Sequence, residues 1–128
     1  MPTAIIIDDY DELADLLEHF LKLLGIKTVA KGRNGMEAFE LYRAHNPDYV
    51  FLDVSMPVYD GFFALNKIRQ QNPYAKIIMA TGDKSEDTRR QLEIMGATDI
   101  LYKPIEPNLL KNAIEQERLR LINLGVAI

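Results

Sequence analysis

The chain has 128 residues, 48% of them apolar and 27% charged, with a formal net charge of −4 and no cysteine. That length suits one domain able to bury roughly two-thirds of its unfolded surface, and the acidic balance argues against a nucleic-acid surface, which needs a basic face. The missing cysteines exclude a disulfide framework, a thiolate metal site and a thiol nucleophile, and the opening MPTAIII has neither the basic flank of a signal peptide nor the length of a membrane span, so a cytoplasmic protein is expected.

Two hydrophobic periods alternate along the chain. Ala4-Ile5-Ile6-Ile7 is too short for a helix and apolar on both faces, as a central parallel strand requires. Leu13, Leu16, Leu17, Phe20, Leu21 and Leu24 then recur at helical spacing until Gly25 ends the helix. Thr28-Val29-Ala30 is a second, weaker strand, and Asn34-Gly35-Met36-Glu37 opens a second helix with a capping box that Asn46-Pro47 closes. Residues 49–52 form the third strand and 61–71 a helix carrying Phe62, Leu65 and Ile68. Ile77 to Ala80 is the fourth strand. Asp83 and Glu86 offer a capping box for a weakly amphipathic helix anchored by Leu92 and Met95. Ile100-Leu101-Tyr102 is the fifth strand, and Pro107 sits where a first helical turn favours proline. With no linker, repeat or low-complexity segment, five such units predict a doubly wound α/β sandwich, with ligands at the carboxyl ends of the strands.

On that frame Asp8 and Asp9 end strand one, Asp53 strand three, Thr81 strand four and Lys103 strand five. Each alone has a plain structural reading: Asp9 with Glu12 as a helix cap, Asp53 as a turn cap, Thr81 as a strand end, Lys103 as a surface lysine. Their convergence on one sheet edge points instead to a site. Three crowded carboxylates repel one another, and a hard-oxygen donor set without His or Cys selects Mg²⁺ over zinc. Lys103 adds a second positive charge and Thr81 a hydroxyl donor, the equipment of phosphoryl transfer, and a carboxylate nucleophile in that setting makes an acyl phosphate.

The ordered set IIIDDYDEL, NGMEAFEL, PDYVFLDVSMPVYDG, IIMATG and GATDILYKP resembles the receiver domain of two-component response regulators over essentially the full chain, with D-x-x-M-P-x-x-D-G intact. The resemblance implies a stand-alone, chemotaxis-regulator-like receiver spanning residues 1–128, with 122–128 as a short apolar C-terminal extension. The implied fold is a flavodoxin-like (βα)5 sandwich with parallel strand order 2-1-3-4-5. It also implies that Asp53 accepts phosphate from a sensor histidine kinase or phosphotransfer protein. Mg²⁺ would be ligated by Asp9, Asp53 and the backbone carbonyl of Ser55, with Asp8 acting mainly through water. Thr81 and Lys103 would contact phosphoryl oxygens, Met56-Pro57 would shape a loop that keeps Asp53 open, and Gly82 would leave the approach of the phosphate uncrowded. Output would pass to an unnamed protein target through the fourth helix, fifth strand and fifth helix, without nucleic acid or membrane, and a homodimer is compatible with this.

Some positions depart from the family pattern. The aromatic residue that usually lies three before the lysine is Ile100 here, and Tyr102 follows on the same strand face, so Thr81, Ile100 and Tyr102 are the switch candidates. Ser55 and Asp83 hold the two variable positions that tune phosphoryl lifetime, and Asp83 is also the expected cap of helix four. The terminal LINLGVAI reads as a frayed helix end, a packing or partner segment, or the start of an effector domain. Two rival functions stand beside the switch. One is a pseudo-receiver that binds partners without phosphorylation. The other is a haloacid-dehalogenase-type phosphohydrolase with Asp9 of Asp9-Tyr10-Asp11 as nucleophile, which leaves the Asp53 motif unexplained and lacks a cap domain.

Overall fold

A computed structural model describes residues 1–123 and 125. Ten elements alternate strictly: β1 (Thr3–Ile7), α1 (Asp11–Leu23), β2 (Lys27–Gly32), α2 (Gly35–His45), β3 (Tyr49–Asp53), α3 (Gly61–Gln71), β4 (Ile77–Thr81), α4 (Glu86–Ile94), β5 (Asp99–Tyr102) and α5 (Pro107–Asn123). The five strands are parallel in the order β2-β1-β3-β4-β5, the flavodoxin-like topology expected from the sequence. No helix among the described residues is long and apolar enough to cross a membrane.

Strand alternation splits the core into two slabs. Ile5, Ile7, Val50, Leu52, Ile77 and Met79 face one way and pack against Ala38 and Tyr42 of α2, Ala64, Leu65 and Ile68 of α3, and Leu92 of α4. Their neighbours Ala4, Ile6, Tyr49, Phe51, Ile78 and Leu101 face Ala14, Leu17 and Leu21 of α1 and Leu110, Ala113 and Ile114 of α5. The central strands are apolar on both faces because both faces are covered, and each fully buried large side chain contributes about 2 kcal/mol of transfer free energy.

Local structure corrects several expectations. Leu13 and Leu16 are 40% and 48% exposed, because α1 packs through Ala14, Leu17 and Leu21. That contact stripe leaves the two leucines on its flank, where they line a cleft with Pro104 and Ile105. The plain reading of Asp9 with Glu12 as a helix cap does not hold: the N-cap of α1 is Tyr10, with no side-chain cap bond, and Asp9 lies in the acid cluster. Ser85, not Asp83, caps α4 through the Thr88 N–H. Asp83 lies two residues upstream, where its carboxylate accepts from the Ser85 N–H at 2.8 Å and the Thr88 hydroxyl at 2.6 Å. Asn34 caps α2 as expected, accepting from the Met36 and Glu37 N–H groups, but Glu37 reaches one residue further back than a capping box requires, to the Arg33 N–H at 3.2 Å, and meets the Asn34 side chain at 3.0 Å. In the C-terminal segment, α5 continues through Ile122 and Asn123, and residues 124 and 126–128 lie outside the described residues.

Two loops on the functional edge are fixed by close approach. A Cβ at Gly61 would lie 2.2 Å from the Asp53 carbonyl oxygen, and one at Gly35 would lie 2.4 Å from the Asp60 carbonyl oxygen. Only glycine lets the β3–α3 loop fold back on the tip of its own strand and sit on the start of α2, where the Gly35 N–H donates to Tyr59 O at 2.6 Å. Val58, within this loop, has φ 66° and is 91% exposed. A β-branched residue in the left-handed region is strained by about 1–2 kcal/mol, whereas asparagine tolerates that conformation. Val58→Asn is expected to raise stability by about 1 kcal/mol, measured as a higher urea midpoint at unchanged m-value; an equal or lower midpoint would contradict the strain.

Candidate functional site

The parallel sheet gathers its polar residues at one edge. Asp8 follows β1 directly, Asp53 and Thr81 are the last residues of β3 and β4, and Lys103 follows β5. Asp8, Asp53 and Thr81 are 7%, 5% and 2% exposed. Carboxylate oxygens of Asp8, Asp9 and Asp53 lie within 4.8 Å of one another. Lys103 Nζ reaches into this group, 3.0 Å from Asp8 Oδ2 and 3.3 Å from Asp53 Oδ1.

One lysine does not balance three acids. Burial chiefly, with the charges of Asp8 and Asp9, pushes the Asp53 carboxyl from 3.8 up to about 6 against the opposing pull of Lys103. Lys103 itself loses basicity to burial, but its hydrogen bond to Asp8 and the Asp53 charge outweigh that and raise its pKa. The donor set is hard oxygen throughout and carries surplus negative charge, which fits a divalent cation such as Mg²⁺. Asp8 is already committed: Oδ1 accepts from the Tyr10 N–H at 2.9 Å and Oδ2 from Lys103.

The other sequence candidates take distinct places. Ser55 is exposed in the loop after β3 and lines a shallow hollow with Met56, Pro57 and Asp60. Thr81 Oγ1 accepts from the Asp83 N–H at 2.9 Å, so its own proton is left to donate. Tyr102 is the direct β5 partner of Thr81 and half-buried, while Ile100 packs against the slab beneath α4. A Cβ at Gly82 would meet nothing within 4 Å, so the protein's own packing does not require glycine there. The carboxylate of Asp83 is turned to the start of α4 rather than to the acids, and its bonds to Thr88 and Ser85 hold its pKa below the usual value.

Sequence reasoning passed over Arg33. It follows β2 at the same edge, donates to the Asp9 carbonyl oxygen at 3.0 Å and pairs with Asp11. A lone arginine after a strand reads as a solvated surface charge, and its position one residue past the sheet edge was the only signal.

A five-stranded doubly wound sheet with paired acids after β1, a buried aspartate on β3 and a lysine after β5 defines a receiver domain, and the chain belongs to the response regulator receiver domain family, whose sequence profile matches residues 4–115. The chain is 32% identical over 112 residues to the chemotaxis protein CheY of Bacillus subtilis (strain 168), covering 88% of this chain and 93% of that protein. It is 31% identical over 116 residues to CheY of Listeria monocytogenes, covering 91% and 98%. Among solved structures, the CheX–CheY–BeF3–Mg²⁺ complex from Borrelia burgdorferi matches with a TM-score of 0.85 at 26% identity, over 89% of this chain and 87% of that one. Receiver domains are phosphorylation-dependent signalling switches rather than classical enzymes, with a Mg²⁺ site at an acidic pocket.

The raised Asp53 pKa has a definite sign for stability. The folded carboxyl keeps its proton up to about pH 6, while the unfolded one releases it near 3.8. Between those values the native state binds more protons, so stability falls as pH rises, and the full cost is present above pH 6. Asp53→Asn is therefore expected to stabilise the cation-free protein at pH 7.5 by on the order of 2 kcal/mol, with the gain vanishing below about pH 4. Urea unfolding in EDTA across that range checks it; a gain that does not change with pH would contradict the burial of the charge.

Proposed function

We propose that Asp53 is the phosphoacceptor of this receiver, taking a phosphoryl group from the phosphohistidine of a sensor kinase or phosphotransfer protein. The observation that carries the reading is the buried Asp53 carboxylate at a strand tip, 3.3 Å from Lys103 and clustered with two further acids. A carboxylate oxygen of Asp53 forms the new bond to phosphorus, the P–N bond of the donor breaks, and its electron pair returns to the imidazole, leaving an acyl phosphate.

Asp9, Asp53 and the Ser55 carbonyl would hold Mg²⁺, with Asp8 acting through water. Both Asp8 oxygens already accept hydrogen bonds from the protein, which supports its lesser share. The cation, when bound, neutralises charge on the transferring group. Lys103 exchanges its contact with Asp53 for one to a phosphoryl oxygen, and the free proton of Thr81 serves another. Ser55 and Asp83 flank the approach and tune the lifetime of the phosphoryl group. In this reading residues 1–128 act as one cytoplasmic receiver, and output passes to a protein target through the face of α4, β5 and α5.

The switch is led by Thr81. A hydroxyl drawn toward the phosphate displaces the loop after β4, to which Thr81 is tied through the Asp83 N–H, and thereby the start of α4. Ile100 has no hydroxyl to turn inward and packs on the core. Tyr102, beside Thr81 across the β4–β5 ladder, is the residue placed to follow.

Intact mass after incubation with acetyl phosphate and Mg²⁺ should show one added phosphoryl group in the wild type and none in Asp53→Asn. Phosphorylation of Asp53→Asn at an unchanged level would remove Asp53 from the role. Lys103→Arg should accept phosphate but fail to engage the target, because a planar guanidinium cannot take the place of a compact ammonium; wild-type engagement would sink the contact. Thr81→Ala should be phosphorylated yet lack the shift in α4 and β5 seen by NMR with beryllofluoride. A full shift in that variant would overturn the threonine-led switch, and an unaffected Tyr102→Leu would leave Tyr102 as edge cover.

A further inference from the structure

The β1–α1 turn carries Asp8 and Asp9, yet α1 begins without a side-chain cap. Asp8 Oδ1 holds the Tyr10 N–H of this turn at 2.9 Å, but the Asp9 carbonyl on the other side of that peptide needs a partner from elsewhere. Arg33 supplies it. Its guanidinium donates to the Asp9 carbonyl oxygen at 3.0 Å and pairs with the Asp11 carboxylate, gripping the turn on both sides of Tyr10. The base of Arg33 is itself fixed. Gly32 before it ends β2 in register with Ile7, the Gly32 carbonyl accepts from the Asp8 N–H at 3.0 Å, and the Arg33 N–H is held by Glu37.

We propose that Arg33 is a positioning residue for the acid cluster, holding the Asp9 peptide so that the Asp9 carboxylate meets a divalent cation together with Asp53. The inference rests on the reading of Asp9 as a Mg²⁺ ligand. A partner that orients a ligand commonly governs metal affinity by tenfold or more. Lys31, the neighbouring cation, pairs with Asp15 and Glu18 further along α1 and fixes the helix without touching the turn. Removing Arg33 therefore releases the Asp9 carbonyl and the Asp11 carboxylate, loosening the Asp9 peptide while Asp8 still holds the Tyr10 N–H and α1 stays anchored.

Position and charge make opposite predictions. As a bare charge near the site, Arg33 would repel a cation, so its removal would tighten binding; its side chain is 56% exposed and such a charge is strongly screened. As a tether, it needs the planar fork that serves a carbonyl and a carboxylate at once, which lysine lacks.

The test is calorimetric titration of the unphosphorylated full chain with MgCl2, beside acetyl phosphate kinetics and urea unfolding in EDTA. Arg33→Gln and Arg33→Lys are each expected to raise the Mg²⁺ dissociation constant about tenfold. At saturating Mg²⁺ their phosphorylation rates should return to within about twofold of wild type, and Lys31→Met should keep wild-type Mg²⁺ affinity within about twofold even where it lowers stability. Wild-type affinity in both Arg33 variants would overturn the proposal, as would tighter binding in Arg33→Gln with no change in Arg33→Lys, the pattern of a charge alone. Asp9→Asn runs alongside. If it binds Mg²⁺ like wild type, the ligand reading fails and the Arg33 role falls with it; if it weakens binding while the Arg33 variants do not, only the positioning role is lost.

Discussion

Buried negative charge at the sheet edge is the constraint on which the rest of this protein turns. Taking a carboxylate out of water is costly unless opposite charge and hydrogen bonds replace the lost hydration. Here Asp8 and Asp53 are both buried with Asp9 beside them, against the single ammonium of Lys103. The fold supplies the scaffold that enforces this crowding. Two apolar slabs clamp the central strands, so the residues at the strand ends cannot retreat to solvent. An incomplete counter-charge leaves the site short of cation, a sound reason for an acid to be held at the tip of a strand rather than out in a loop.

The surroundings of the acids divide the labour between rigidity and adaptability. Asp8 is bound on both oxygens by the Tyr10 N–H and Lys103 and is a fixed point. Across the edge, the Thr81 hydroxyl is bound only as an acceptor, from the Asp83 N–H. The neighbouring Asp83 carboxylate is turned to Ser85 and Thr88. The chain between β4 and α4 is thus knit to itself and to the helix start, with no tie of its own to the acid cluster.

Much of this was legible in the sequence, for reasons that differ by residue. The strands could be read because buried parallel strands are apolar on both faces, and the Ile5–Ile7 and Ile77–Ala80 runs leave no other choice. Five strand ends in one parallel sheet must share an edge, so Asp8, Asp53, Thr81 and Lys103 could be placed together without coordinates. What could not be read was the competition for each side chain. Asp83 satisfies a capping pattern with Glu86, but Ser85 is nearer the helix start and takes the role. Leu13 and Leu16 fit a helical stripe, yet a five-helix sandwich gives α1 a narrow contact face. Arg33 was invisible because its partners, the Asp9 carbonyl and Asp11, are set by how the β2 edge lies against the β1–α1 turn.

The glycine contacts beneath Asp53 give the cleft a handedness. On the β3 side, Gly61 presses against the Asp53 backbone and Gly35 grips the loop that follows it, leaving no slack. On the β4 side, the space around Gly82 is open. The cleft is a vice with one jaw bolted down. Volume added at the tip of β3 would meet backbone on the side of Gly61 and Gly35 and open space beside Gly82. Room around Asp53 is thus unequally shared between its two sides before any side chain has chosen a partner.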